Sequence, residues 1–262
     1  MRTTNLILSV LALSMISLTY GQRRKNAAPE PQPAQIAHQP KLVVGIVVDQ
    51  MRYDYLTRFW NQYGEGGFKR LVNEGFNCKN NHFNYAPTST GPGHTSVYTG
   101  TTPAVHGIIG NDWFDKELGK DVYCAGDDAY ESVGTTSDLG KMSPHRMLTT
   151  TITDQLRLHT QMRGKVIGVA LKDRGAILPA GHTANAAYWF EGGETGNWIT
   201  SSYYMDELPQ WVADFNASDK VEAYKKPWTT LKPIETYVES GLDANNYEGL
   251  QKGETSNAFP HD

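Results

Sequence analysis

Hydrophobic residues fall into a few dense runs separated by long mixed stretches. Leu42 to Val48 (LVVGIVV) is continuously apolar and rich in β-branched residues. Such a run suits a strand buried on both faces, the kind found in parallel sheets covered by helices. Val166 to Leu171 (VIGVAL) has the same character. Helical patterns are predicted over Met51 to Trp60, over Gly67 to Glu74 with a stop at Gly75, and over Met147 to Leu158. The last of these is entered through Ser143, with Pro144 at the first-turn position. Strands that alternate with helices predict an α/β domain with a largely parallel sheet flanked by helices.

The texture changes near Gly181. Aromatics become dense and β-branched runs disappear, while Leu208, Trp211, Val212 and Phe215 fit one short amphipathic helix. Residues 181–262 are therefore expected to form an inserted cap or subdomain, and residues 41–180 the N-terminal part of the main domain. Asn216-Ala217-Ser218 reads as a glycosylation sequon, meaningful in a eukaryotic secretory pathway.

The N-terminus carries a targeting pattern. Arg2 precedes the apolar run Leu6 to Leu18, and Thr19-Tyr20-Gly21 offers small residues before a cut ahead of Gln22. This predicts a signal peptide over 1–21 and a periplasmic or secreted mature protein. The run is shorter than the ~20 residues a membrane span needs. Residues 22–40, with prolines at 29, 31, 33 and 40, read as a disordered linker.

Charge narrows the partners. With 24 basic and 28 acidic side chains the net charge is -4, so no basic surface for nucleic acid is expected. The two cysteines, Cys78 and Cys124, could pair in an oxidising compartment or stay as separate thiols. Their spacing argues against a thiolate zinc site.

Two positions carry candidate chemistry. Asp49 directly follows the Leu42–Val48 run, and ligands of open parallel sheets bind beyond the carboxyl ends of the strands. It can hold a metal there, or cap a helix that begins near Met51. Thr90 stands in Pro87-Thr88-Ser89-Thr90-Gly91-Pro92-Gly93-His94, ahead of a helix predicted to reach Tyr98 and stop at Gly100. A helix N-terminus favours an anion, and the glycines let a substrate approach the backbone. A threonine hydroxyl needs a base or a metal to act as a nucleophile. The other reading of Thr90 is a simple helix cap.

The string PTSTGPGHTSVYTG, with VVDQMRYDY before it, resembles the alkaline phosphatase superfamily. Within that superfamily it looks most like the PafA-type alkaline phosphatases, relatives of the nucleotide pyrophosphatase/phosphodiesterases. The resemblance covers nearly the whole chain after the linker. It implies that Thr90 is the nucleophile and Asp49 the first metal-binding aspartate. Asn111, in Gly110-Asn111-Asp112-Trp113, matches the asparagine that hydrogen-bonds a phosphoryl oxygen. Lys172 and Arg174 match the Lys-x-Arg pair of PafA-like enzymes, at the end of the Val166–Leu171 strand. Two cations there suit a phosphate monoester, which has more non-bridging charge than a diester. The resemblance assigns no metal to His94, His106 or His182.

The resemblance also implies two zinc ions acting as a clamp on the attacking and leaving oxygens. Asp49 and Thr90 would serve one of them. The family's other ligands come from Asp-x-x-x-His and Asp-His motifs, and neither pattern occurs in this sequence. The chain is therefore expected to be a fragment, inactive alone. Two rival readings stay open: a phosphodiesterase or nucleotide pyrophosphatase on the same scaffold, and a non-catalytic secreted anion-binding protein.

Overall fold

A computed structural model describes residues 40–193, 195–218 and 220–261. The proposed signal peptide and almost all of the proposed linker lie outside the described residues. Two compact units divide the chain, Met1–Ile46 and Val47–Asp262. The second contains every element named below.

Its elements run α1 (Tyr55–Arg58), a 3-10 turn (Trp60–Gln62), α2 (Gly67–Glu74), α3 (Thr90–Thr99), α4 (Pro103–His106), β1 (Asp112–Asp115), β2 (Lys120–Tyr123), β3 (Ser132–Val133), α5 (Ile152–His159), β4 (Ile167–Ala170), α6 (Asp173–Ala180), β5 (Ala186–Glu191), β6 (Asn197–Ser201), α7 (Gln210–Asn216) and α8 (Lys220–Tyr224). β1 and β2 form an antiparallel hairpin. A second sheet has the order β3-β6-β5-β4. Its β4·β5 pairing is parallel, as expected of strands linked through a helix, and the other two pairings are antiparallel, so the sheet is mixed.

β5 holds the sheet in place. Ala187 and Trp189 point into a core with Ile108, Cys124, Ile177, Leu178 and Ile199. Ala186 and Tyr188, one residue out of phase, point into a second cluster with Val212. This is the period-2 alternation of a strand buried on both faces. The sequence hides it because the strand is AAYWFE, without β-branched residues. The sheet therefore continues past Gly181, and the change in texture there marks no break in it. α7 appears where the apolar spacing predicts, with Val212 buried. The sequon residue Asn216 acts as an internal brace, accepting from Trp198 N and donating to Trp198 O, both at 2.8 Å.

α6 packs on β4 and β5 and against α3. Gly168 permits this approach: a Cβ there would come within 2.2 Å of the Ala176 carbonyl oxygen. The close contact fixes where α6 begins, and hence where Lys172 and Arg174 leave the end of β4.

Several expectations need correction. Leu42–Val48 joins no strand among the described residues, and its side chains are exposed, Ile46 at 78%. A strand buried on both faces needs neighbours on both edges, and the described residues supply none. β4 lies at an edge of its sheet, which leaves Ile167 and Val169 57% and 60% exposed rather than buried. The Met51–Trp60 helix shrinks to α1 and a 3-10 turn. Gln50 takes a left-handed backbone (φ 57°), and α1 begins only after Asp54, whose carbonyl accepts from Arg58 N at 2.7 Å. Ser143 does not open the third helix. Thr151 does, through a capping box in which its side chain accepts from Asp154 N and Asp154 accepts from Thr151 N, both at 3.0 Å. Cys78 is exposed, Cys124 is buried, and both are free thiols.

Asp154 is fully buried and binds more than its own helix. Its Oδ1 accepts from Thr183 N at 2.7 Å and Thr183 Oγ1 at 2.8 Å, which ties α5 to the loop after α6. Burial alone would raise its pKa, but hydrogen bonds from Thr151, Thr183 and the His182 backbone outweigh it and hold the carboxyl below its ordinary value of 3.8. A depressed folded-state pKa gives stability that is present above the unfolded value and lost as pH falls through the folded one. Asp154→Ala should therefore cost about 2–5 kcal/mol in urea unfolding at pH 7, since buried N–H groups lose their acceptor. Asp154→Asn should flatten the loss of stability below the ordinary carboxylate pKa. An unchanged urea midpoint in Asp154→Ala would show that these bonds do not hold the loop.

Candidate active site

α3 begins at Thr90 and ends at Gly100, which takes the left-handed conformation that stops the helix (φ 67°). Thr90 is half-buried, and the next six residues are buried. The Thr90 hydroxyl donates to Asp49 Oδ2 at 3.0 Å, while Asp49 Oδ1 accepts from Gln50 N at 2.8 Å. Asp49 is exposed and caps no helix, since α1 starts at Tyr55. The side chain therefore reaches from the end of the Leu42–Val48 run to the start of α3.

Asn111 enters from the β1–β2 hairpin. The turn is set by Asp115, whose Oδ1 accepts from Glu117 N and Leu118 N and whose carbonyl accepts from Gly119 N, with Gly119 at φ 65°. The ladder pairs Asp112 with Tyr123 and runs on one step, with Cys124 N donating to the Asn111 carbonyl at 2.8 Å. Gly91 N donates to Asn111 Oδ1 at 2.7 Å. That bond fixes which way the amide faces. Nδ2, with no partner among the described residues, is the end left to donate. A Cβ on Gly91 would stand 3.0 Å from the Gly110 carbonyl oxygen, 3.2 Å from Asn111 Oδ1 and 3.4 Å from Cys124 Sγ. Gly91 is thus small so that the hairpin can approach α3, which differs from the expectation that it makes room for substrate.

This packing changes the expected anion site. The Gly91 N–H is taken by Asn111, and Pro92 has no N–H. Of the first three positions of α3 only Thr90 N–H remains, so an anion here must be met mainly by side chains.

Lys172 and Arg174 flank the start of α6. Lys172 is its N-cap residue, exposed, and forms no ion pair among the described residues. Arg174 Nη1 donates to Tyr123 OH at 2.9 Å, and its guanidinium carbon lies 5.9 Å from the Tyr123 ring centroid. Tyr123 OH in turn donates to Asp173 Oδ1. The five predicted residues therefore join through contacts: Asp49 to Thr90, Gly91 to Asn111, Asn111 to Cys124, and Tyr123 to Arg174. Lys172 is adjacent through the backbone alone. Tyr123 and Asp173 were not expected from the sequence. Their signals were an alternating hairpin behind an Asp-to-Gly turn and an acid between two bases, and neither identifies a partner.

The histidines have structural roles. His94 Nδ1 lies 2.9 Å from the Thr90 carbonyl oxygen. His106 is fully buried and accepts from Ile108 N at Nδ1, so the neutral ring carries its hydrogen on Nε2, 2.9 Å from Ser96 Oγ. Burial lowers its pKa to about 4. The His182 carbonyl accepts from Tyr203 OH at 2.7 Å.

For a metal, the residues present fit in part. The Asp49 and Thr90 oxygens are 3.0 Å apart, close enough for one cation to touch both, and both are hard oxygen donors. The described residues hold no group of three or more acidic, His or Cys side chains that could bind one.

With this geometry in hand, the chain can be placed. Residues 43–246 match the type I phosphodiesterase / nucleotide pyrophosphatase family, and the chain belongs to that family. Alkaline phosphatase PhoV of Synechococcus elongatus is 51% identical over all 262 residues, which cover 47% of PhoV. A Myroides odoratus protein named as a calcium-transporting ATPase is 54% identical over 225 residues, 86% of this chain and 41% of that one. No helix among the described residues is long and apolar enough to cross a membrane. Alkaline phosphatase PafA of Elizabethkingia meningoseptica is 49% identical over 254 residues, 96% of this chain and 45% of PafA. The crystal structure of wild-type PafA superposes with a TM-score of 0.82 at 51% identity, over 90% of this chain and 44% of that one. A second PafA structure has a threonine changed to serine, and an asparagine, a lysine and an arginine changed to alanine. The chain spans just under half the length of these relatives.

Burial of Cys124, with Asp173 nearby, pushes its thiol up to about 12. A thiol reagent at pH 8 should thus modify one cysteine per folded chain, Cys78, and reach Cys124 only in denaturant. Two equivalents of rapid labelling in the folded state would contradict the packing of Cys124 against Gly91.

Proposed function

We propose that this chain carries the nucleophile half of a zinc-dependent alkaline phosphatase that hydrolyses phosphate monoesters. One observation carries the reading: the Thr90 hydroxyl opens a buried helix, points at Asp49, and stands beside an asparagine amide locked by Gly91 N–H. The PafA variant supports it. Its threonine and asparagine are 21 residues apart and its lysine and arginine two apart, spacings that Thr90/Asn111 and Lys172/Arg174 repeat.

In this reading Thr90 Oγ1 attacks phosphorus in line. A Thr90 O–P bond forms as the hydroxyl proton passes to water, the ester P–O bond breaks, and the leaving alkoxide takes up a proton from water. Water then hydrolyses the phosphothreonine, returning the hydroxyl and releasing inorganic phosphate. Asn111 Nδ2, Lys172 and Arg174 donate to the non-bridging oxygens as charge shifts onto them. Asp49 Oδ2 keeps the Thr90 hydroxyl aimed until it reacts. Asp49 and Thr90 would hold one of two zinc ions, whose positive charge would lower the hydroxyl's pKa and stabilise the leaving oxygen. A catalytic zinc takes about three protein ligands. The proposal assigns the others to the part of the enzyme that this chain does not span. The apolar run after Arg2 fits export, so the working compartment is the periplasm or the exterior.

The family's phosphodiesterase members make the diester the rival substrate. In the enzyme containing this chain, Thr90→Ala should lower turnover by about 10³-fold or more without unfolding it. Lys172→Ala and Arg174→Ala should each cost roughly 1.5–3 kcal/mol in kcat/KM for an aryl phosphate and clearly less for the matching diester. Equal losses on both substrates would refute the monoesterase assignment. Expressed alone, the 262-residue chain should retain no stoichiometric zinc after dialysis, and two tightly held ions per chain would refute the division of ligands.

A further inference from the structure

Arg174 is held at Nη1 and left, among the described residues, without a hydrogen-bond partner at its buried Nε. Nη1 is committed to the Tyr123 oxygen at 2.9 Å. The buried Nε has no hydrogen-bond partner among the described residues. A buried donor without a partner is costly, and a cation in that state is suited to an anion that arrives.

The residue that grips Arg174 is itself gripped. Tyr123 ends β2, on a different element from Arg174, and its hydroxyl donates to Asp173 Oδ1. The same Asp173 oxygen accepts from the Arg174 backbone N–H. One oxygen of the carboxylate between Lys172 and Arg174 therefore serves both the phenol and the helix start. Asp173, Tyr123 and Arg174 close a ring of contacts through the Arg174 backbone N–H and guanidinium, with the Tyr123 ring centroid 5.9 Å from the guanidinium carbon. Burial first, and then Asp173, push the phenol well above its ordinary value of 10.0, so it remains a hydrogen-bond donor in alkaline solution.

We infer that Tyr123 and Asp173 are positioning residues that aim Arg174 at the non-bridging oxygens of the substrate, and so help to set the preference for monoester over diester. This rests on the phosphatase reading above. Without the phenol, the arginine would have to order its flexible side chain each time substrate binds. The gain from the clamp appears only where Arg174 meets charge, which is why it separates the two substrates.

The test is a double-mutant cycle in the enzyme containing this chain, with Tyr123→Phe, Arg174→Ala and the pair. kcat/KM is measured for an aryl phosphate and the matching diester, together with competitive inhibition by inorganic phosphate and the thermal midpoint. Tyr123→Phe, which keeps the ring, should lower the monoester value roughly tenfold, weaken phosphate binding by a similar factor, and change the diester value by less than about twofold. In the Arg174→Ala background it should do nothing more. Asp173→Asn, which keeps an oxygen to accept from the phenol, should retain more monoester activity than Asp173→Ala. If Tyr123→Phe is neutral, acts equally on both substrates, or keeps its full effect without Arg174, the positioning role is wrong while the phosphatase reading stands. Equal activity of the two Asp173 variants would likewise remove Asp173 from the clamp. If Arg174→Ala leaves monoester hydrolysis intact, Arg174 meets no substrate charge and this inference fails while the phosphatase reading stands; if the enzyme containing this chain hydrolyses no monoester at all, the phosphatase reading fails, and this inference with it.

Discussion

The hydrogen bond from Gly91 N–H to Asn111 Oδ1 is the joint on which the site depends. It ties the first turn of α3 to the start of the β1–β2 hairpin. It also sets the orientation of the Asn111 amide. Because the hairpin returns to Asn111 through Cys124, the same joint brings Tyr123 to the arginine of α6. Gly91 is the constraint within it, since a Cβ would press on Gly110, Asn111 and Cys124 together. Buried packing here is tight enough that one methyl group would be felt.

The electrostatic consequence runs against a simple view of helix N-termini. α3 presents little backbone donor capacity, because its second residue is bonded to Asn111 and its third is proline. On the proposed reading, charge recognition would pass to Asn111, Lys172 and Arg174, which come from two other places in the chain. The helix contributes position and the side chains contribute charge. In the proposed enzyme, donors held in fixed positions by this packing would separate substrates by the number and placement of their anionic oxygens.

The sequence made some of this legible. The α3 boundaries followed from a threonine before a glycine-proline-glycine and from a terminal glycine, both local rules. α2 followed from its helical pattern and a stopping glycine, and α7 from the spacing of its apolar residues. Leu42–Val48 was read as a strand buried on both faces and is exposed among the described residues, because composition reports what a segment can pair with and not whether a partner is there. β5 was missed for the opposite reason: its alanines and aromatics alternate between two cores, and no β-branched residue announces them. The helix start at Thr151 lost to Ser143-Pro144, although Thr151-x-x-Asp154 is the stronger cap once the buried aspartate is seen. Among the residues of the proposed site, Asp49, Thr90, Asn111, Lys172 and Arg174 were picked out by motif. Tyr123 and Asp173 required the fold, since a contact between a hairpin end and a helix start leaves no periodic trace.

The central claim is that Thr90 is the nucleophile of the enzyme that contains this chain. The most direct measurement is peptide mapping by mass spectrometry after mixing that enzyme with an aryl phosphate and quenching with acid within the first turnovers. The account predicts a phosphoryl group on the peptide that includes Thr90, localised to that residue and removed by a chase with unlabelled buffer. Steady turnover with Thr90 never phosphorylated at any quench time, or with the label on another side chain, would contradict it.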